Sequence, residues 1–344
     1  MAFDLLKLLG EEKRILFLGE GNFSFSTSVV KKLSSSIESP LVNIWVTCFE
    51  SDTTKTQLNE NNTQACQLKK DNKQFLESVG CHVLEGVDAE NLTSESRLAG
   101  LTFSKIIFMF PHVGGKMKIN RNRRLLLNVL TSCRSLLEDD GDIVITLCRG
   151  QGGTQAETVV RSRADTWRIV DMCHEAHCIL THVEIFCPDQ FSDYQSVGYR
   201  GLYKGFNVDG AMVHVMRKGE PRMFQCISNV DDNTISDNSR TICEPVSLYP
   251  PAHVHHLSYW LPDTMQLLDH NQVDLVLDMT GVRSVMISWR VLECHTDQGT
   301  GRHSQTLELT FCDKTCPLGH TRALHLLINI VGRSLENCYH VKLR

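Results

Sequence analysis

The sequence predicts an α/β protein with a mostly parallel sheet carrying an antiparallel edge strand, followed by a smaller α+β domain. Three observations carry this. Short β-rich runs alternate with helical stretches through the first part of the chain, the rhythm that builds a parallel sheet covered on both faces. A polar stretch rich in Asp, Asn and Ser, 220–244, then breaks the pattern. Beyond it, long strands and helices follow in a different order. With 344 residues, the chain suits two cores at roughly 100–200 residues per domain.

The first run, ILFLG (15–19), is continuously apolar and ends in glycine, the form of a buried parallel strand. Helical sequence follows over 24–33. VNIWVTCF (42–49) ends on Glu50, and a polar helical stretch, 55–79, leads to CHVLEG (81–86). The fourth run is SKIIFMFP (104–111), with a helix expected over 121–137, and the fifth is GDIVITLC (141–148). After a glycine-rich segment, 150–154, a helix is expected over 165–177. Two β-like runs, 182–187 and 211–216, are then placed to pair antiparallel at the sheet edge. The domains so defined are 1–219 and 247–344, joined by a linker over 220–246, whose composition cannot bury enough apolar surface to order itself. In the second domain the order is strand 253–260, helix 263–277, strands 282–294 and 303–311, helix 318–335 and strand 339–343. This β-α-β-β-α-β order is the ferredoxin-like plan.

Composition excludes more than it selects. Hydrophobic content of 42% and charged content of 22% are those of an ordinary globular protein. A net charge of −5 argues against nucleic-acid binding through bulk positive charge and leaves a local basic patch. The 14 cysteines lack framework spacing, and MAFDLLKLLGEEKR carries charges where a signal peptide needs an apolar run. Reduced thiols in a cytosolic or nuclear compartment are expected. No apolar run approaches the roughly 18–20 residues that cross a bilayer. Cys173-His174-x-x-His177-Cys178 and Cys312-x3-Cys316-x3-His320 invite a zinc reading, but neither gives four ligands with finger or knuckle spacing, so no metal is expected.

The chemistry concentrates at the ends of the first four strands. LGEGNFSFS (18–26) sets Gly19 and Gly21 where a ligand can approach the backbone and the next helix N-terminus. Glu50, closing the second strand, is placed to accept the ribose hydroxyls of an adenosine cofactor, and Asp88 to contact the adenine. Either carboxylate considered alone reads better as a solvated loop group. The turn lacks the third glycine of G-x-G-x-x-G, with Ser24 in its place, and no basic pyrophosphate contact accompanies it. A methyl donor without phosphates therefore suits it better than a dinucleotide, and Glu20 would neighbour a cationic sulfonium more favourably than a pyrophosphate.

ILFLGEGNFSFS (15–26) together with FMFPHVGG (108–115) resembles the yeast-type large-subunit rRNA uridine-N3 methyltransferase family, over about residues 14–217. The resemblance implies a class I methyltransferase (Rossmann-like) fold, S-adenosylmethionine as donor and an RNA uridine, in rRNA, as acceptor. Gly19, Gly21 and Asn22 match the family's donor-binding turn; Pro111 and His112 match its motif after strand four. SLYPPAHVHHLSYWLP (247–262) and the final HVKLR (340–344) resemble the ferredoxin-fold anticodon-binding domain of phenylalanyl-tRNA synthetase, which implies tRNA as a further partner. Two features depart from these patterns. GQGGT (150–154) stands where the yeast enzymes carry Gly-x-Pro-Tyr, and the tail from Tyr249 holds eight Lys and Arg against nine Asp and Glu. They motivate the alternative of a non-catalytic RNA- or tRNA-binding adaptor that keeps the methyltransferase fold.

Methylation at uridine N3 needs an unpaired base held in a pocket, and most of the catalytic task is orientation. His112 is the leading candidate to contact that base and accept or orient its proton; the bland reading is a turn histidine capping a loop carbonyl. Asp193, Tyr194 and Tyr199 are further pocket candidates. GGKMKINRNRR (114–124) puts Lys116, Lys118, Arg121, Arg123 and Arg124 beside this place. Cations at a helix N-terminus oppose the helix dipole, which favours an external anionic partner such as RNA phosphate.

Overall fold

The computed structural model describes residues 13–34, 41–50, 63–113, 118–197, 205–227 and 245–344. The chain divides into two compact units, Met1–Lys218 and Gly219–Arg344.

In the first unit the strands are β1 (Ile15–Leu18), β2 (Ile44–Cys48), β3 (His82–Glu85), β4 (Phe103–Met109), β5 (Leu137–Leu147), β6 (Cys178–Ile185) and β7 (Met212–Lys218). They form a seven-stranded sheet in the order β3-β2-β1-β4-β5-β7-β6. β1 pairs parallel with both β2 and β4, with Phe17 opposite Val46 on one side and Ile107 on the other. All four of its residues are buried, which is why the run is apolar without alternation. β7 runs antiparallel to both β5 and β6. The expected antiparallel pair is present, but the reversed strand lies one place inside the edge.

Helices α1 (Ser24–Ser34), α2 (Thr63–Ser78), α3 (Ile119–Leu136) and α4 (Ile169–Glu175) connect the strands. The last is shorter than expected, because Gly152 and Gln151 carbonyls accept from Ile169 and Trp167 and hold the preceding residues in the loop. The core includes Phe17, Phe25, Val29, Phe110, Phe186 and Phe191, each worth about 1.5–3 kcal/mol when fully buried. Asp142, 2% exposed, joins β5 to Lys105 on β4 and to Arg217 on β7, the latter at 2.7 Å. Both cations lie across the sheet from it, so this buried charge is paired.

The second unit has β8 (His253–Trp260), α5 (His270–Met279), β9 (Met286–Thr296), β10 (His303–Phe311), a long helix and β11 (Lys342–Leu343). Its four-stranded sheet has the order β11-β8-β10-β9, with every neighbouring pair antiparallel. The long helix runs His320–His325, widens through a π-helical segment, Leu326–Gly332, and ends at Arg333–Tyr339. α5 begins later than expected, at a capping box in which Asp269 accepts from Gln272 N and Gln272 accepts from Asp269 N. Of the expected linker, 220–227 packs on this unit. Ile227 N donates to Ser334 Oγ at 3.0 Å, and Phe224 and Cys226 lie against its core; these apolar residues were hidden within a polar-looking stretch. Residues 228–244 lie outside the described residues.

Candidate functional site

β1 delivers the chain into the turn Gly19–Asn22 at the carboxyl end of the sheet. Gly19 has φ of +63°, and a Cβ there would lie 2.4 Å from the Phe108 ring at the end of β4. Glycine is thus required by packing as well as by conformation. A Cβ on Gly21 would meet Val197 at 3.0 Å. Asn22 is buried and accepts from Ser24 N at 3.1 Å, donates to the Gln195 carbonyl at 3.2 Å, and its own carbonyl accepts from Asn72 Nδ2 at 2.8 Å. Ser24 Oγ accepts from Gln195 N at 3.0 Å and lies 3.1 Å from the Gln195 carbonyl. The segment around Gln195 is therefore fastened across the turn.

Glu20 points inward. Its carboxylate accepts from Ser26 N at 3.1 Å and Ser26 Oγ at 2.9 Å, capping the first turn of α1. Burial pushes its pKa up to about 7, against the pull of the Ser26 hydrogen bonds. The side chain expected beside a sulfonium instead serves the helix. Glu50 and Asp88 are exposed just past β2 and β3. The Glu50 carbonyl accepts from Cys48 Sγ at 3.0 Å, and Asp88 accepts from Glu90 N at 2.9 Å. Val87 N donates to Cys48 O at 2.9 Å, tying the loop after β3 to the end of β2. Gly19, Gly21 and Asn22 thus share one sheet end with Glu50 and Asp88, on three neighbouring strands.

β4 supplies the fourth position. Phe110 has φ of +50° and donates its N–H to Thr146 O at 2.9 Å, turning the chain into buried Pro111 and half-buried His112. The His112 ring lies 6.1 Å from that of Trp167 and 5.8 Å from that of Phe206. Burial lowers its pKa, which favours the neutral imidazole at neutral pH, the form that can accept a proton. Tyr194 packs against Phe25 and Phe110, with centroids at 5.4 and 6.5 Å, and Asp193 pairs with Lys31 at 2.8 Å. Tyr199 and Lys116 lie outside the described residues.

The basic run divides. Arg123 gives its guanidinium to main-chain carbonyls, those of Thr166 at 2.7 Å and Ala164 at 2.8 Å among them. It braces the loop after β5, so its donors are not turned outward to a phosphate. Lys118, Arg121 and Arg124 are exposed, and Lys118 makes no capping bond at the start of α3. Sequence reasoning also missed Glu157, buried and accepting from Gly150 N at 2.6 Å and Gly152 N at 2.9 Å. It orders the GQGGT segment, and only the glycines hinted at it. Arg149 and Arg161 are exposed on the same loop, with Arg161 donating to the Arg149 carbonyl at 3.3 Å. Among the described residues no group of three or more His, Cys, Asp or Glu side chains could hold a metal, and no helix is long and apolar enough to cross a membrane.

The sheet order, with β7 reversed between β5 and β6 and a glycine turn closing β1, defines a methyltransferase-type α/β fold. The chain belongs to the BMT5-like family, described as rRNA (uridine-N3-)-methyltransferase BTM5-like, whose model matches residues 16–198. It is 32% identical over 224 residues to the human ferredoxin-fold anticodon-binding domain-containing protein 1, covering 62% of this chain and 33% of that protein. The mouse homolog is 32% identical over 209 residues, 61% of this chain and 32% of that one. The chain thus spans about a third of the length of these relatives. Among solved structures, a 30S ribosomal A1408 methyltransferase from an uncultured bacterium superposes at a TM-score of 0.35 with 13% identity, covering 62% of this chain and 90% of that one.

Proposed function

We propose that this protein is an S-adenosylmethionine-dependent RNA methyltransferase that transfers a methyl group to N3 of a uridine in rRNA. The observation that carries the reading is the family match, which spans both the glycine turn and the Pro111-His112 segment. The site's chemistry agrees with it. Gly19 and Gly21 leave a side-chain-free backbone at the end of β1, where a ligand can approach the main chain. Glu50 is exposed at the next strand end, where it would hold a ribose through its hydroxyls. Asp88 would take the adenine edge.

When bound, the donor supplies an electrophilic methyl group, and the protein's own task is to orient the base and manage one proton. Neutral His112, flanked by Trp167 and Phe206, would face the Watson–Crick edge of an unpaired uridine and accept or relay the N3 proton. Lys118, Arg121 and Arg124 would neutralise phosphates without reading sequence. Action on rRNA would suit a cytoplasmic or nucleolar location, and the second unit would offer a further tRNA or RNA contact.

Labelled methyl transfer into cellular RNA, with the product nucleoside identified, tests the proposal. Incorporation as N3-methyluridine supports it; a different methylated nucleoside corrects the acceptor. A second reading, a non-catalytic RNA adaptor, is favoured by Val197 and Gln195 lying on the glycine turn. It predicts RNA binding with no incorporation.

A further inference from the structure

At the end of β2, Cys48 is 1% exposed. Its sulfur lies 3.3 Å from Lys69 Nζ on α2, and that ammonium also lies 3.0 Å from Glu85 Oε1 on β3. Lys69 is itself 6% exposed and sits 5.3 Å over the Phe23 ring. Glu85 carries a second cation, Lys73, at 2.8 Å. A thiol, an amine and a carboxylate thus touch one another, two of them enclosed, directly before the exposed Glu50.

We propose that Cys48 and Lys69 form a reversible, peroxide-driven covalent N–O–S bridge that regulates the donor site. The regulatory half rests on the reading that Glu50 holds the donor's ribose. In the first step the thiol sulfur attacks hydrogen peroxide; an S–O bond forms, the O–O bond breaks and water leaves, giving the sulfenic acid. The Lys69 ammonium, held by Glu85 until then, loses one proton to bulk water, and a second peroxide oxidises the freed amine to the hydroxylamine, again releasing water. Condensation of the two hydroxyl groups closes the N–O–S link with loss of a third water. Two peroxides are reduced, sulfur and nitrogen are oxidised, three waters and one proton leave, and the Glu85 carboxylate keeps Lys73 as its partner. An interposed oxygen spans the sulfur–nitrogen gap with less movement than a direct bond would need.

Burial raises the Cys48 pKa and Lys69 opposes it, so the first attack depends on Lys69 to stabilise the developing thiolate. This distinguishes Cys48 from Cys133, whose thiol burial also raises without a neighbouring cation. The bridge would consume the S–H that donates to the Glu50 carbonyl and the cation that pairs with Glu85. It therefore stiffens α2 against β2 while releasing the residue that follows.

The test treats the full chain with hydrogen peroxide and maps it by mass spectrometry without reductant. A cross-linked pair of peptides carrying Cys48 and Lys69, heavier than their sum by one oxygen less two hydrogens and separated again by dithiothreitol, is the expected result. K69R, which keeps the charge, should give oxidised Cys48 with no cross-link, and C48S should give neither. Sulfinic acid at Cys48 with Lys69 intact in the wild type, or a disulfide to another cysteine, overturns the bridge. Titration with S-adenosylmethionine should show binding about tenfold weaker after oxidation and restored by dithiothreitol. Equal affinity in the bridged and reduced protein overturns the regulatory half. Absence of binding in the reduced protein removes the donor reading and leaves the cross-link to stand on its mass.

Discussion

Arg123 donates to the Thr166 carbonyl through both Nε, at 3.0 Å, and Nη2, at 2.7 Å. One arginine of a basic run thereby becomes a brace between α3 and the loop that follows β5, and its exposed neighbours are left for an outside partner. Arg123→Ala should lower stability by about 1.5–3 kcal/mol, the range for hydrogen bonds to a charged group. Paired charge reversals at Arg121 and Arg124 should leave the melting temperature unchanged, weaken RNA binding and flatten its salt dependence. Thermal unfolding beside a salt series of RNA titrations separates the two; equal destabilisation by both sets of changes contradicts the division.

A methyl group on Gly21 would stand 3.0 Å from the Val197 side chain, tighter than ordinary van der Waals contact. Gly21→Ala should destabilise by about 1–3 kcal/mol through overpacking, and Val197→Gly in the same chain, which removes all three close atoms, should recover most of that loss. A denaturant melt of the single and double variants reads this directly. A double variant that regains stability but not donor binding would assign Gly21 a ligand role beyond packing.

Glu20 has a folded pKa raised from 4.5 to about 7. A raised pKa means that the folded state holds the proton more tightly, so this contribution is fully present below 4.5 and lost as pH rises through about 7. The stability difference between Glu20→Gln and wild type should therefore shift in the variant's favour across that window, by on the order of 3 kcal/mol, and stay level above it. A pH-independent difference in chemical melts would show that the carboxylate is not enclosed.

His214 titrates in the opposite sense. Burial lowers its pKa from 6.5 to about 4, and its Nδ1 lies 3.2 Å from the Ile145 carbonyl. A depressed histidine pKa contributes stability above 6.5 that disappears as pH falls toward about 4. His214→Gln should blunt the acid limb of the stability profile over that interval. An unchanged acid limb would remove His214 from the account.

The sheet was legible because parallel strands buried on both faces are largely continuous apolar runs, as ILFL and the IIFM end of β4 are. The turn Gly19–Asn22, and the exposed positions of Glu50 and Asp88, followed from the same reasoning about strand ends. Two kinds of information were absent. Side-chain direction was one: Glu20 turns toward Ser26, and Arg123 toward carbonyls some forty residues away, partners that no local spacing marks. Long-range loop packing was the other. Gln195 meets Asn22 and Ser24 from 173 and 171 residues away, and Asn72 reaches Asn22 from the middle of a polar helix. Neither carries a periodic signal.

The proposed activity requires that the ends of β1, β2 and β3 bind the adenosyl group of a methyl donor. Calorimetric titration of the reduced full chain with S-adenosylmethionine, repeated on Glu50→Gln, tests it most directly. One-to-one binding by the wild type, competition by S-adenosylhomocysteine and an affinity loss of about tenfold or more in the variant are expected. A folded wild-type protein that takes up no donor, or a variant that binds it equally well, would contradict it.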